Sequence, residues 1–350
     1  MPDLKRQPEH LLLAEQGRQF FHHQIQVMKT CLARLDAGQD DPELIHDLRV
    51  AARRFTSLVR QTEPFLDARW CRQAAKTVHP VRKVTNRLRD ASVLVERLAS
   101  MPAEQVSGQD VADLADWLGH EQRKHLEKAR LKLLDEKFRR KLDQLDDFLS
   151  APAAAAHLLR AEPTSRDLYA LHSIEDVRSA LLFCQTAKLL ALRQLIVAES
   201  ELPAEVLADP VLAAGFLEVA PDVIHRIRLS AKDFRYVLEF LAPVLQSEPL
   251  AAWLDSFRAL QDQLGAIHDL DLAQERITRL EKCGPDRKLS QEWLDLCAAL
   301  KRAWREERQT LLDRLQPQWS DWTAERYECK IYELIFQKSA QSDVMADPLG

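Results

Sequence analysis

Apolar residues recur at intervals of three and four along nearly the whole chain, the spacing that places them on one face of an α-helix. Short stretches interrupt the pattern: DAGQDDP (36–42), SMPAEQVSGQD (100–110), APAAAAHLLRAEPTS (151–165), LADPVLAAG (207–215) and KCGPDRK (282–288). Each carries the Gly, Pro, Asp or Ser residues that end helices. The segments between them predict about four long helices on each side of residues 151–165, and long helices with short connections pack as antiparallel bundles. The expected fold is all-α, with a first bundle over 1–150, a linker over 151–167, a second bundle over 168–340 and a disordered tail over 341–350.

The pattern also repeats. PELIHDLRVAARRF (42–55) returns as PDVIHRIRLSAKDF (221–234), 179 positions later, with Pro42/Pro221, Ile45/Ile224, His46/His225, Arg49/Arg228, Ala52/Ala231 and Phe55/Phe234 identical. At the same offset Pro64 meets Pro243, Leu66 meets Leu245, Asp90 meets Asp269, and Glu96-Arg97 meets Glu275-Arg276. An unchanged offset means no net insertion, and internal duplication is the simplest explanation, with two similar bundles related by a pseudo-two-fold axis. Pro42 and Pro221 stand where a first helical turn tolerates proline, and Asp41 is a suitable cap.

Both copies carry two faces. Stepping about 100° per residue from His46 puts Arg49, Arg53 and Arg60 on its stripe, with Ile45, Leu48, Ala52, Phe55, Leu58 and Val59 on the far side. In the second copy His225, Arg228, Lys232 and Arg235 form the matching stripe, with Tyr236 beside them. The next helix of the first half adds Arg72, Lys76, His79, Lys83 and Arg87 at spacings of four, three, four and four, with Arg89 slightly off that face. Pro80 is expected to bend or break this helix. The second half has Asp255 and Asp262 where the first has Lys76 and Lys83.

Charge sharpens the picture. The net charge is −5, so any anion site must come from local patterning, and 42–101 holds 12 Lys/Arg against 6 Asp/Glu while 221–280 holds 7 against 9. A lone basic stripe is usually a solvated face; an ordered His/Arg/basic stripe kept in two copies points to a duplicated binding surface. Two cations about 6 Å apart repel by about 0.7 kcal/mol in water but by about 3 kcal/mol at an effective dielectric of about 20. Such stripes facing a cleft would therefore call for an anion.

Other classes fit less well. Eight glycines and neither a GxGxxG nor a GxxxxGK pattern argue against a nucleotide loop. Six scattered cysteines with no CxxC pattern suit reduced thiols and give no zinc site, and no cofactor is expected. The N-terminus lacks an apolar core of signal-peptide length and no run approaches about 18 apolar residues, so a cytoplasmic location without a membrane partner is expected. Glu43/His46 and Asp222/His225 imitate the Glu-x-x-His pairs of di-iron bundles, but the arginines on the same stripe would repel a metal cation. Nucleic acid, RNA above all, is the stronger alternative ligand, although only Tyr236 sits beside the stripe as a stacking platform.

The doubled H-x-x-R-x-x-x-[RK] helix followed by an RD-type helix resembles the CHAD family, named for a conserved-histidine α-helical domain, over roughly residues 10–315. His46, Arg49, Arg53 and Arg54 match its first basic helix and RDAS (89–92) its RD motif; His225, Arg228, Lys232, Arg235 and Tyr236 match the second basic helix, and LGAIHDLDLA (264–273) the second LG-x-x-x-D segment. The resemblance implies two helical bundles around a basic channel that binds inorganic polyphosphate, with an association with polyphosphate granules. Thr56, Asn86 and Ser92 depart from the basic residue, glycine and aspartate that the family usually has there. Some relatives carry a triphosphatase domain with an ExExK strand; no ExExK occurs here, and a non-enzymatic role is expected. Protein partners are not specified by the sequence.

Overall fold

A computed structural model describes residues 13–39, 41–99, 101, 109–158, 174–245, 248–283, 291–323 and 329. The expected tail at 341–350, and the linker beyond Leu158, lie outside the described residues. Twelve α-helices and no strand occur among them. They are α1 (Leu13–Asp36), α2 (Pro42–Thr62), α3 (Ala68–Ala99), α4 (Gln109–Leu133), α5 (Glu136–Ser150), α6 (Ala154–Leu158), α7 (Ile174–Leu190), α8 (Ala204–Leu207), α9 (Pro210–Leu217), α10 (Pro221–Leu241), α11 (Glu248–Cys283) and α12 (Gln291–Thr323).

Local chemistry explains most boundaries. Asp41 caps α2 as its position suggests, its Oδ1 accepting from the Glu43 backbone N–H at 2.9 Å with Pro42 in the first turn. Asp135 caps α5 in the same way, accepting from the Phe138 N–H at 3.0 Å, and so marks a break that the apolar spacing does not show. Two expected breaks contain helix. Asp209 and Pro210 start α9 inside 207–215, and α6 lies inside the expected linker, where the Leu158 carbonyl accepts from the Asp67 N–H at 2.7 Å. Pro80 does not interrupt α3. An internal proline costs a helix about 3 kcal/mol, and burial of Cys71, Ala74, Val78, Val81 and Leu88 on both sides of it holds the helix together.

The 179-position offset reappears in the helix bounds. α2 and α10 are both 21 residues long and start 179 positions apart, and α11 begins within one residue of the place that α3 dictates. The correspondence stops upstream: at the positions offset from α1 the second half has two short 3-10 turns followed by α8 and α9.

α2 packs on α1, α3 and α10; α10 packs on α7 and α11; α11 packs on α3 and α12; and α3 also packs on α4. Phe21, Phe55, Phe234, Phe240 and Phe257 belong to a main core that draws on residues from both sides of the expected linker. A second core between α3, α4, α11 and α12 holds Leu94, Leu118, Ile277, Trp293 and Trp304, again from both sides. Across the α2–α10 contact Arg60 pairs with Asp233, while Arg54 Nε lies 3.1 Å from Glu239 Oε2. Arg54 and Asp233 are equivalent at the offset of 179, as are Arg60 and Glu239, so i meets j and j meets i, the contact pattern of a two-fold interface.

Candidate functional site

The apolar residues of α2 decide where its cations go. Leu44, Leu48, Ala52, Phe55, Leu58 and Val59 are buried in the main core, leaving Arg49, Arg53 and Arg60 on the side that meets α10. On α10, Ile224, Ile227, Ala231, Phe234 and Leu238 are buried in the same way, so that Arg228 and Lys232 look back at α2. Between α2, α3, α10 and α11 lie two adjoining cavities of about 690 and 630 Å³. They share Arg49, Arg53, Arg89, Arg228, Lys232 and Asp269 in their walls.

Some of these cations are neutralised. Arg89 donates to Asp269 at 2.8 Å and to Glu96 at 2.9 Å. Burial works against its charge, but the two carboxylates outweigh burial and hold its pKa above the usual arginine value. Arg60 is paired with Asp233, and Arg97 with Glu307. Arg49, Arg53, Arg82, Arg228 and Lys232 are different: among the described residues no carboxylate lies within ion-pair distance of any of them. Arg53 Nη1 and Arg228 Nε are buried without a hydrogen-bond partner.

Concentrated charge in a half-buried space shifts ionisation. Burial, then Arg53, Arg89 and Arg228, lower Arg49 to about 10. Burial, followed by Arg228, Arg53, Arg49 and Arg235, lowers Lys232 to about 6. His268, whose ring centroid is 4.8 Å from that of His225, is pushed down to about 4 by burial and then by Arg228. Burial and the nearest arginine lower His46 and His225 too. Every one of these shifts disfavours a positive charge, as expected for a half-buried cluster in which cations outnumber the nearby acids; Asp269 acts in the opposite sense on Arg228 and His268 but does not outweigh burial and the other cations.

Most sequence-predicted site residues meet here, with corrections. His46 and Arg235 line the smaller cavity, and His79, His225 and Arg60 the larger. Tyr236 reaches the smaller cavity but is 2% exposed, which removes it as a stacking platform. Arg54 lines neither cavity and is spent on Glu239, and Arg235 shares that acid, its Nε 3.4 Å from Oε1. On α3 the predicted stripe is rotated. Lys76 and Lys83 are exposed and line neither cavity, whereas Arg72, His79, Arg82, Asn86 and Arg89 line the larger one. The Arg87 side chain lies outside the described residues. Lys76 and Lys83 stand opposite the buried row Ala74, Val78, Val81, Leu88 and so face water; a cleft between helices opens on the flank of a buried row. Arg82 is passed over by the spacing, and His268, which the spacing leaves on the second half's arm with Arg258, is not assigned to the site by it; both line the larger cavity. Their signal is adjacency to the core row, a weaker one than a run of cations.

Among the described residues no three His, Cys, Asp or Glu side chains gather as a metal site, which leaves the Glu43/His46 and Asp222/His225 reading without support. No described helix is long and apolar enough to cross a membrane. The sequence profile of the CHAD domain matches residues 19–278. No curated protein sequence matches. Among solved structures, the crystal structure of the CHAD domain from the plant Ricinus communis is similar with a TM-score of 0.64 and 17% identity, covering 89% of this chain and 92% of that one. PptA from Streptomyces chartreusis is similar with a TM-score of 0.61 and 15% identity, covering 88% and 99%. At these identities the two structures share the fold.

Proposed function

The chain belongs to the CHAD domain family, and from that premise we propose that it binds inorganic polyphosphate, or a similar linear phosphate polyanion, without enzymatic turnover. The observation that carries this reading is the cluster of Arg49, Arg53, Arg82, Arg228 and Lys232 in the wall of the larger cavity, where the acids Asp233 and Asp269 are paired with Arg60 and Arg89 and none of the five has a carboxylate within ion-pair distance among the described residues. Guanidinium groups grip phosphate oxygens through paired N–H donors, and lysine adds a point charge. Two adjoining cavities with shared basic walls suit a chain that passes from one to the other better than a single compact anion. Burial of Tyr236 favours a ligand that offers phosphates alone over RNA, whose bases need exposed aromatic faces.

Calorimetry with long-chain polyphosphate tests the proposal. Each charge-assisted contact is worth about 1.5–3 kcal/mol, so Arg49→Glu with Arg228→Glu is expected to weaken binding by roughly a hundredfold or more. The same reversal at the exposed Arg302 and Arg305 is expected to change it by less than about threefold. Equal losses for the two double variants would overturn the site. Tighter retention of RNA than of polyphosphate of equal charge would overturn the ligand.

A further inference from the structure

Lys232 differs in its surroundings from other described lysines. Lys29 is held by Asp143 and Asp146, Lys124 by Glu121 and Lys301 by Glu281, while Lys76 and Lys83 face water. Lys232 is half-buried where the two cavities adjoin, with Arg49 and Arg53 facing it from α2 and Arg228 and Arg235 flanking it on α10. Asp269 lines the same space but is committed to Arg89. Removal from water and four neighbouring guanidinium groups both favour the neutral amine, which is the nucleophilic form. The same guanidinium groups are ready-made holders for a phosphate ester.

We propose that Lys232 is a covalent-modification site for small phosphorylated aldehydes and ketones, with Arg49, Arg53 and Arg228 holding the phosphate while the Lys232 amine adds to the carbonyl. The amine lone pair forms the C–N bond as the C=O π bond opens. The carbonyl oxygen then leaves as water with the two protons of the neutral amine, and an imine remains. No electrons are gained or lost. A cavity of about 690 Å³ admits a ligand of this size, and in the empty cavity the depressed ionisation of Lys232, to about 6, favours the neutral amine that meets the incoming carbonyl. The inference rests on the anion-binding reading of the same cavity.

The test uses pyridoxal 5′-phosphate as the probe, with borohydride to trap the imine and peptide mapping to locate it. Lys232 is expected to be the principal labelled residue of the wild-type protein, and unphosphorylated pyridoxal to label it at least about tenfold more slowly. Lys232→Arg, with circular dichroism to confirm folding, is expected to lose that label; mapping of the wild type decides the matter if the variant does not fold. Label spread over exposed lysines such as Lys76 and Lys83 with Lys232 unmodified, or equal rates for the two probes, would sink the inference. Polyphosphate separates the two proposals. A label at Lys232 that polyphosphate fails to block sustains the modification site and counts against polyphosphate as occupant. Polyphosphate binding seen by calorimetry with no label at Lys232 overturns the modification site and leaves the binding reading standing.

Discussion

Lys232 and Arg53 occupy equivalent places on α10 and α2, yet only the lysine can shed its charge at ordinary pH. Its pKa of about 6 lies far below the lysine value of about 10.4 that the unfolded chain has, so the folded empty protein holds fewer protons across that window. Stability of the empty protein should therefore rise with pH from about 6 upward. A bound polyanion favours the ammonium form, so binding takes up a proton and affinity falls as pH rises through the same window, by at most about tenfold per unit for one proton. His268, pushed down to about 4, adds the same sign at lower pH. Titrations at about pH 6.5 and about pH 8.5 are expected to show weaker binding at the higher value, with proton uptake visible as a dependence of the heat on buffer ionisation. Affinity that rises with pH would contradict the arrangement. The sequence shows which residues carry charge. It does not show that Arg89 is neutralised by Asp269 and Glu96 while Arg49 is left alone, because those partners come from separate helices or turns.

At the scale of the element, α3 shows how far periodicity reaches. Of the residues that spacing puts on or beside one stripe, Arg72, His79 and Arg89 line the larger cavity and Lys76 and Lys83 do not, because the stripe marks the centre of the polar face and the cavity opens at its edge. Arg82→Glu is accordingly expected to weaken polyphosphate binding by roughly tenfold or more, whereas Lys76→Glu with Lys83→Glu changes it by less than about threefold at moderate salt. Calorimetry on the two variants decides it; a larger loss from the lysine pair would restore the rotated stripe. The α2–α10 contact gives a second case. Arg54 and Arg60 look like further ligands on a helical wheel, but they bind Glu239 and Asp233 and fix the spacing between the two basic faces. That role appears only when the second helix is in place.

For the molecule as a whole, both cores are built from segments far apart in the chain. Phe20 stacks edge-on against Phe240 with centroids 5.8 Å apart, and the buried Gln16 side chain donates to the Phe240 carbonyl at 3.2 Å. The core around Trp293 and Trp304 likewise closes against Leu94 and Leu118. Both cores contain residues of both halves, so unfolding is expected to be one cooperative transition, with circular dichroism and tryptophan fluorescence giving coincident curves in urea. Two separated transitions would show that the halves are independent. The same closure makes the site: α2 and α3 supply one wall, α10 and α11 the other, and the cavities lie between them.

The sequence by itself determined the all-helical class, the two-faced character of α2 and α10, and the doubling of the basic motif, because capping, periodicity and side-chain chemistry are local properties that residues a few positions apart express together. Tertiary structure alone decided which cations remain unneutralised, which flank of α3 meets the cavity, and that Tyr236 is buried. Those depend on distances between residues that are roughly 170 to 180 positions apart in the chain, such as Arg60 with Asp233 and Arg89 with Asp269, and no local pattern encodes such a distance.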